Sequence, residues 1–264
     1  MNSGRARLVI AALIALFALV GYFTKTTVNP ITGETQRVAL TPEEEVALGL
    51  KAAPEMAAQM GGLSRNEKAR ALVQRVGSRL ASGGFAATSP YKFSFHVLAD
   101  PKTVNAFALP GGPVFITEGL LHRLRTEGEL AAVLGHEVGH VLARHSSERL
   151  AKEQLTQGLV SAVVVGTGDY TSAQIAQMAG SMINMKYGRG DELEADALGI
   201  RIAFESGYDP RAMIGVMEVL AQASGGSRQP EFASTHPAPE NRQARIKEEI
   251  AKRFPSGVPD GLTK

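Results

Sequence analysis

Five residues constrain this chain more than any others: His136-Glu137-Val138-Gly139-His140, an HExxH pattern. On a helix of 3.6 residues per turn, His136 and His140 share one face, one turn apart. Two neutral imidazoles so placed hold one Zn²⁺ per chain, with Glu137 beside them to take a proton from water. Residues 127–149 read as one such helix, which Thr126 and Glu129 open as a capping box. Leu130, Leu134, Val138 and Val141 make an apolar side, and Ala131, Gly135, Gly139 and Ala143 a side of small residues. A helix apolar or small around most of its circumference is buried. Two histidines and a glutamate inside it are costly unless something compensates them, as a metal would; the alternative is a pair of hydrogen-bonded core histidines with an incidental glutamate.

The rest of the chain suits a catalytic domain. Its 264 residues can bury one sizeable core, and 44% hydrophobic with 20% charged residues is ordinary globular composition. A net charge of +2 with no charge block does not imply nucleic acid. The absence of cysteine removes disulfides, thiolate ligands and a thiol nucleophile.

At the N-terminus, Arg5 and Arg7 precede an uncharged apolar run at 8–23. Its length lies between a signal-peptide core and a membrane span, and it lacks a clean small-x-small cleavage site. It reads as an uncleaved anchor, with a removed signal as the alternative. Basic residues before the run stay in the cytoplasm, which puts the remainder outside: anchored to a bacterial inner membrane facing the periplasm, or free in the periplasm if the segment is cleaved. The domain reading is 1–24 anchor or signal, 25–40 tether, 41–254 catalytic domain and 255–264 tail.

Thr41-Pro42-Glu43-Glu44 starts a helix, and another is predicted over 65–81, ending at Gly83-Gly84. Alternation from Tyr91 to Leu98 predicts a strand with His96 on its exposed face. Apolar runs at 104–109 and 114–117, split by Pro110-Gly111-Gly112-Pro113, read as strand, turn, strand. Further helices are predicted at 118–125, 171–186, 191–206, 210–223 and 240–253. The fold class is α+β, a mainly helical body with a small antiparallel sheet. The segment 150–185 reads equally as a movable lid or a helical hairpin.

Catalytic zinc takes three protein ligands, and the downstream candidates are His145, Glu192, Glu194, Asp196 and His236. On a regular helix His145 points away from the metal face. Glu192 and Asp196, four apart, share a face that continues as Ala195, Gly199, Ile202 and Ala203, whereas Glu194 falls on a solvated stripe with Arg201 and Glu205. Glu192 is therefore the expected third ligand. Asp196 is the carboxylate to orient a ligating histidine through its second ring nitrogen.

HEVGH, then His145-Ser146-Ser147-Glu148-Arg149, Asp191-Glu192-Leu193-Glu194-Ala195-Asp196 and Ser234-Thr235-His236-Pro237 stand in that order, preceded by NAFALPGGPVFITEGLL at 105–121. The set resembles the gluzincin zinc metallopeptidases grouped with the CAAX-prenyl endopeptidase and the HtpX heat-shock protease, over roughly 40–254. In layout it is similar to periplasmic members such as BepA and LoiP, without the former's long C-terminal repeat domain or HtpX's additional membrane spans. The resemblance implies a zinc endopeptidase in which Glu192 completes the metal site and His236 lies near the metal, as a latch or a catalytic group. It also implies unfolded or damaged envelope proteins as substrates, and substrate pairing along 105–109. A latent, chaperone-like zinc protein is the alternative, and a single short span disfavours a lipid-directed enzyme.

Overall fold

The structure is a computed structural model that describes residues 3–167, 187–223, 231–236 and 241–264. The helix predicted at 171–186 lies outside these residues, as does the candidate lid beyond 167. The chain divides into two compact units, residues 1–41 with 145–187, and 42–144 with 188–264.

The first unit holds α1 (Ser3–Phe23), the strands β1 (Thr26–Val28) and β2 (Thr35–Arg37), and α6 (His145–Thr167). Where the sequence reads as a tether, β1 and β2 form an antiparallel hairpin, with Thr27 opposite Gln36. The residues that looked like loop punctuation build its turn. Asn29 Oδ1 accepts hydrogen bonds from the Ile31 and Thr32 amides at 2.8 and 3.3 Å, and Gly33 supplies a φ of 76°. The buried Asn29 side chain also donates to Gln36 Oε1 at 3.0 Å. Beyond the hairpin, the Leu40 amide donates to Ser147 Oγ at 3.1 Å, which ties it to α6. Among the described residues, α6 therefore groups with the N-terminal residues.

The second unit is mainly helical: α2 (Pro42–Gln59), α3 (Glu67–Ser82), α4 (Glu118–Leu121), α5 (Glu127–Leu142), α7 (Arg189–Glu205), α8 (Ala212–Ala223), α9 (Glu231–Thr235) and α10 (Arg242–Arg253). Asn66 caps α3 by accepting from the Ala69 amide at 3.1 Å. The small sheet has the order β3-β5-β4, with β3 (Ser94–Leu98), β4 (Ala106–Ala108) and β5 (Pro113–Thr117). The α+β class holds, but the sheet is mixed. β4 and β5 are antiparallel across the Pro110–Pro113 turn, while β3 runs parallel to β5 in register Phe95 to Val114. The central strand β5 is buried at every position, as a strand covered on both faces must be. His96, expected on the surface, is half-buried, its ring stacked on Phe115 at 5.0 Å. The tail also docks: the Asp209 amide donates to the Thr263 carbonyl at 2.8 Å.

The predicted 127–149 helix breaks at Arg144, whose φ of 60° ends α5. A left-handed arginine costs energy and persists only where its surroundings hold it. Here the buried guanidinium donates from Nε to both Glu45 oxygens at 3.2 Å, and the Tyr91 hydroxyl also donates to Glu45. Burial and the Glu45 bond push the Tyr91 phenol up. Removing Glu45 strands a buried arginine charge, so Glu45→Ala is expected to lower unfolding stability by about 3–5 kcal/mol in urea titrations. A variant as stable as wild type would show that the pair does not hold the end of α5.

Candidate metal centre

α5 carries the HEVGH residues, and its start follows from local chemistry. Thr126 Oγ1 accepts from the Glu129 amide at 3.1 Å, the first half of the capping box. The reciprocal half is displaced, because the Arg125 guanidinium holds the Glu129 carboxylate at 2.6 and 2.9 Å. That carboxylate accepts the Arg125 amide at 2.6 Å instead.

The small-residue side of α5 receives α7. A Cβ added at Gly139 would lie 2.9 Å from the Ala195 carbonyl, and one at Gly199 would lie 3.0 Å from the His136 amide nitrogen. Only glycine at these contacts lets the two backbones approach so closely. The approach brings the Glu192–Asp196 face of α7 against the histidines of α5.

His136, His140, Glu192 and His236, all buried, each offer a ligand atom within 4.8 Å of the others. His136 Nε2 is 3.0 Å from His140 Nε2, and Glu192 lies 3.6 and 3.5 Å from these two nitrogens. His236 Nδ1 is 2.9 Å from Glu192 Oε1 and 3.4 Å from His136 Nε2. Its ring stacks on Phe232 at 4.4 Å and 15°, and the Phe232 amide donates to the Val104 carbonyl just ahead of β4. Four buried nitrogen and oxygen donors converging on one point form a set that could hold a metal ion.

Asp196 meets the other side of the His136 ring, Oδ1 at 3.0 Å from Nδ1. It is held in turn by Arg242 of α10, whose Nε and Nη2 donate to its two oxygens at 2.8 Å each. Arg242 Nη1 also lies 3.1 Å from Glu192 Oε2. Burial alone would push both carboxyls up. Hydrogen bonds from His140 and His236 outweigh that for Glu192, and those from Arg242 and His136 do so for Asp196, so both are held below the usual carboxylate range. Burial opposes charge on His136, but Asp196 and Glu192 raise it.

Glu137 is different. It is fully buried, and neither carboxylate oxygen has a hydrogen-bond partner among the described residues. His236 Nε2 lies 3.7 Å from its Oε1. Burial pushes its carboxyl up, against the attraction of His236 and His136.

The structure thus gathers Glu137, Glu192, Asp196 and His236 around the two motif histidines. His145 is not in the cluster; it opens α6, buried, with its ring 6.2 Å from Tyr187. Glu194 is half-buried rather than solvated and also lies outside the cluster. Arg201 and Glu205 do form the exposed stripe, paired at 2.7 Å. Sequence reasoning missed Arg242 and Phe232. An arginine in a charged helix carries no spacing signal toward a site on another helix, whereas Phe232 stands four residues before His236, a helical spacing that could have pointed to it.

Comparison with known proteins agrees with this geometry. A model of peptidase family M48 matches residues 67–250. A beta-barrel assembly-enhancing protease of Yersinia pestis is 30% identical over 223 residues, covering 81% of this chain and 45% of that protein. The mitochondrial metalloendopeptidase OMA1 of Schizosaccharomyces pombe is 32% identical over 234 residues, covering 86% and 67%. The beta-barrel assembly-enhancing protease of Escherichia coli K12 is 32% identical over 183 residues, covering 65% and 37%. The chain therefore spans less than half the length of these bacterial relatives. The family match runs from α3 into α10 and takes in every residue of the buried cluster, and the chain belongs to peptidase family M48.

Proposed function

We propose that the protein is a zinc-dependent endopeptidase, anchored to a membrane by α1 and acting on unfolded or damaged envelope proteins. The observation that carries the reading is Glu137, a buried carboxylate with unpaired oxygens beside a three-ligand donor set. His136, His140 and Glu192 would hold the ion, which supplies Lewis acidity, polarising a peptide carbonyl and making water acidic. Glu137 takes the water proton and passes it to the leaving amine, a role its raised carboxyl suits. Asp196 fixes the His136 ring through Nδ1, leaving Nε2 toward the donor set. β4 is an edge of the sheet, and an extended substrate adds alongside it as a further strand. The beta-barrel assembly-enhancing proteases and the mitochondrial metalloendopeptidase named above support the metalloendopeptidase reading.

His236 favours a second reading of the same site, a latent form. Its Nδ1 stands within the donor set, 2.9 Å from Glu192, where it competes for the position water needs. One experiment addresses both readings: cleavage of an unfolded protein by wild type and His236→Ala, with and without a chelator, and bound metal measured. The variant is expected to cleave faster than wild type, and chelation to abolish cleavage by both. Slower cleavage by His236→Ala would replace the latch with a catalytic histidine. Cleavage that survives loss of all metal would end the zinc-dependent reading.

A further inference from the structure

The apolar run at 159–165 is too short to span a membrane, yet the helix that contains it does not stand alone. α6 packs antiparallel along α1, and three contacts set their register. Lys25 Nζ bonds Gln154 Oε1 at 2.6 Å. A Cβ added at Gly158 would lie 2.6 Å from the Ala18 methyl, and one at Gly166 would lie 3.2 Å from that of Ala11. These levels match the two helices' uncharged stretches to each other. After the apolar run of α1 the first charge is Lys25; on α6, Glu148, Arg149, Lys152 and Glu153 all precede Gln154, and no charge follows up to Thr167.

The outward faces agree. On α1, Leu13, Phe17 and Val20 are exposed, Phe17 at 81%; on α6, Leu159 and Val163 are exposed at 36% and 43%. An apolar groove of about 990 Å³ runs between them, lined by Leu13, Phe17, Leu155 and Gly158 among others. The hydroxyls on this part of α6 fold back onto the helix's own backbone. Ser161 Oγ donates to the Gln157 carbonyl and Thr167 Oγ1 to the Val163 carbonyl, each at 2.8 Å. Hydroxyls with their bonds made within the helix have no need of water, which is what a hydrocarbon environment demands.

We infer that the second half of α6, from about residue 155, lies in the membrane beside α1, with lipid acyl chains covering its outer face and the groove. The inference rests on the reading of α1 as a membrane anchor. At 1.5 Å per residue the uncharged part of α6 reaches about 20 Å, against roughly 30 Å of hydrocarbon, so it enters without crossing. The Lys25–Gln154 pair and the charges before it mark the interface on the domain side. The occupant is acyl chain rather than another protein, because the face continues the lipid-facing surface of α1 at the same depth. The peptidase chain is therefore held by two helices, and the segment that follows the metal helix is tied to the bilayer.

The chain has no cysteine, so single-cysteine variants of the full-length protein report one position each. A bimane fluorophore is attached at Phe17→Cys, Val163→Cys or Lys152→Cys, and each protein is reconstituted in vesicles with brominated acyl chains. Quenching is expected to be several-fold stronger at positions 17 and 163 than at 152. Strong quenching at 17 with position 163 no more quenched than 152 would overturn the inference and leave the anchor standing. No excess quenching at 17 would overturn the anchor reading and the inference with it. Leu159→Cys, on the same face, guards against a local disturbance at 163: quenching at neither position rejects the membrane contact.

Discussion

Glu137→Gln is expected to leave the metal bound and to lower turnover on an unfolded protein by a factor of about 10²–10⁴, the usual contribution of a positioned general base. Glutamine has the shape of glutamate, so the fully buried position stays filled. The carboxylate makes no hydrogen bond among the described residues, so the exchange breaks none. What is lost is the ability to accept a proton. Zinc stoichiometry and thermal stability should therefore match wild type while hydrolysis collapses. A variant that binds zinc and cleaves at the wild-type rate would remove Glu137 from the chemistry. A variant that binds no zinc would instead show that the carboxylate helps to hold the ion.

Arg242→Met is expected to cost about 3–5 kcal/mol of stability, because it leaves a buried charge cluster without its cation. The same change should weaken zinc binding by about 10–100-fold, the usual penalty for losing the partner behind a ligand. Both effects follow from one guanidinium. Two of its nitrogens grip Asp196 at 2.8 Å, and the third reaches Glu192 at 3.1 Å. Asp196 in turn holds the His136 ring, so the arginine acts on the metal through two other residues. Methionine keeps most of the volume and none of the bonds. Arg242→Lys separates charge from geometry: it should recover part of the stability but little of the zinc affinity, since an ammonium cannot form the fork. Urea unfolding and competition with a zinc chelator measure the two quantities. Wild-type zinc affinity in Arg242→Met would refute the positioning role.

The site was legible wherever a helix repeat carried it. Thr126 marked the start of α5, its small-residue side became the bed for α7, and Glu192 and Asp196 emerged together on the inward face. Local periodicity suffices there because backbone geometry within one helix decides which side chains are neighbours. It failed where a distant group overrode the pattern. Nothing near Arg144 announces a left-handed residue; Glu45, far upstream, holds it there. The parallel pairing of β3 with β5 was hidden because the intervening β4 supplied a plausible antiparallel neighbour for β5. The β1–β2 turn was visible as Asn29, Pro30 and Gly33, but three-residue strands are too short to show alternation.

By itself the sequence determined the metal helix, the inward carboxylates and the apolar run at the start of the chain, all properties of contiguous residues. Only the tertiary structure decided that Arg242 secures Asp196, that Phe232 supports His236 and that α6 lies along α1. Arg242 and Asp196 are 46 residues apart, Lys25 and Gln154 are 129 apart, and Phe232 is held by Val104, 128 residues upstream. A one-dimensional pattern records which face is apolar or charged; the partner each face meets is set by packing the whole chain at once.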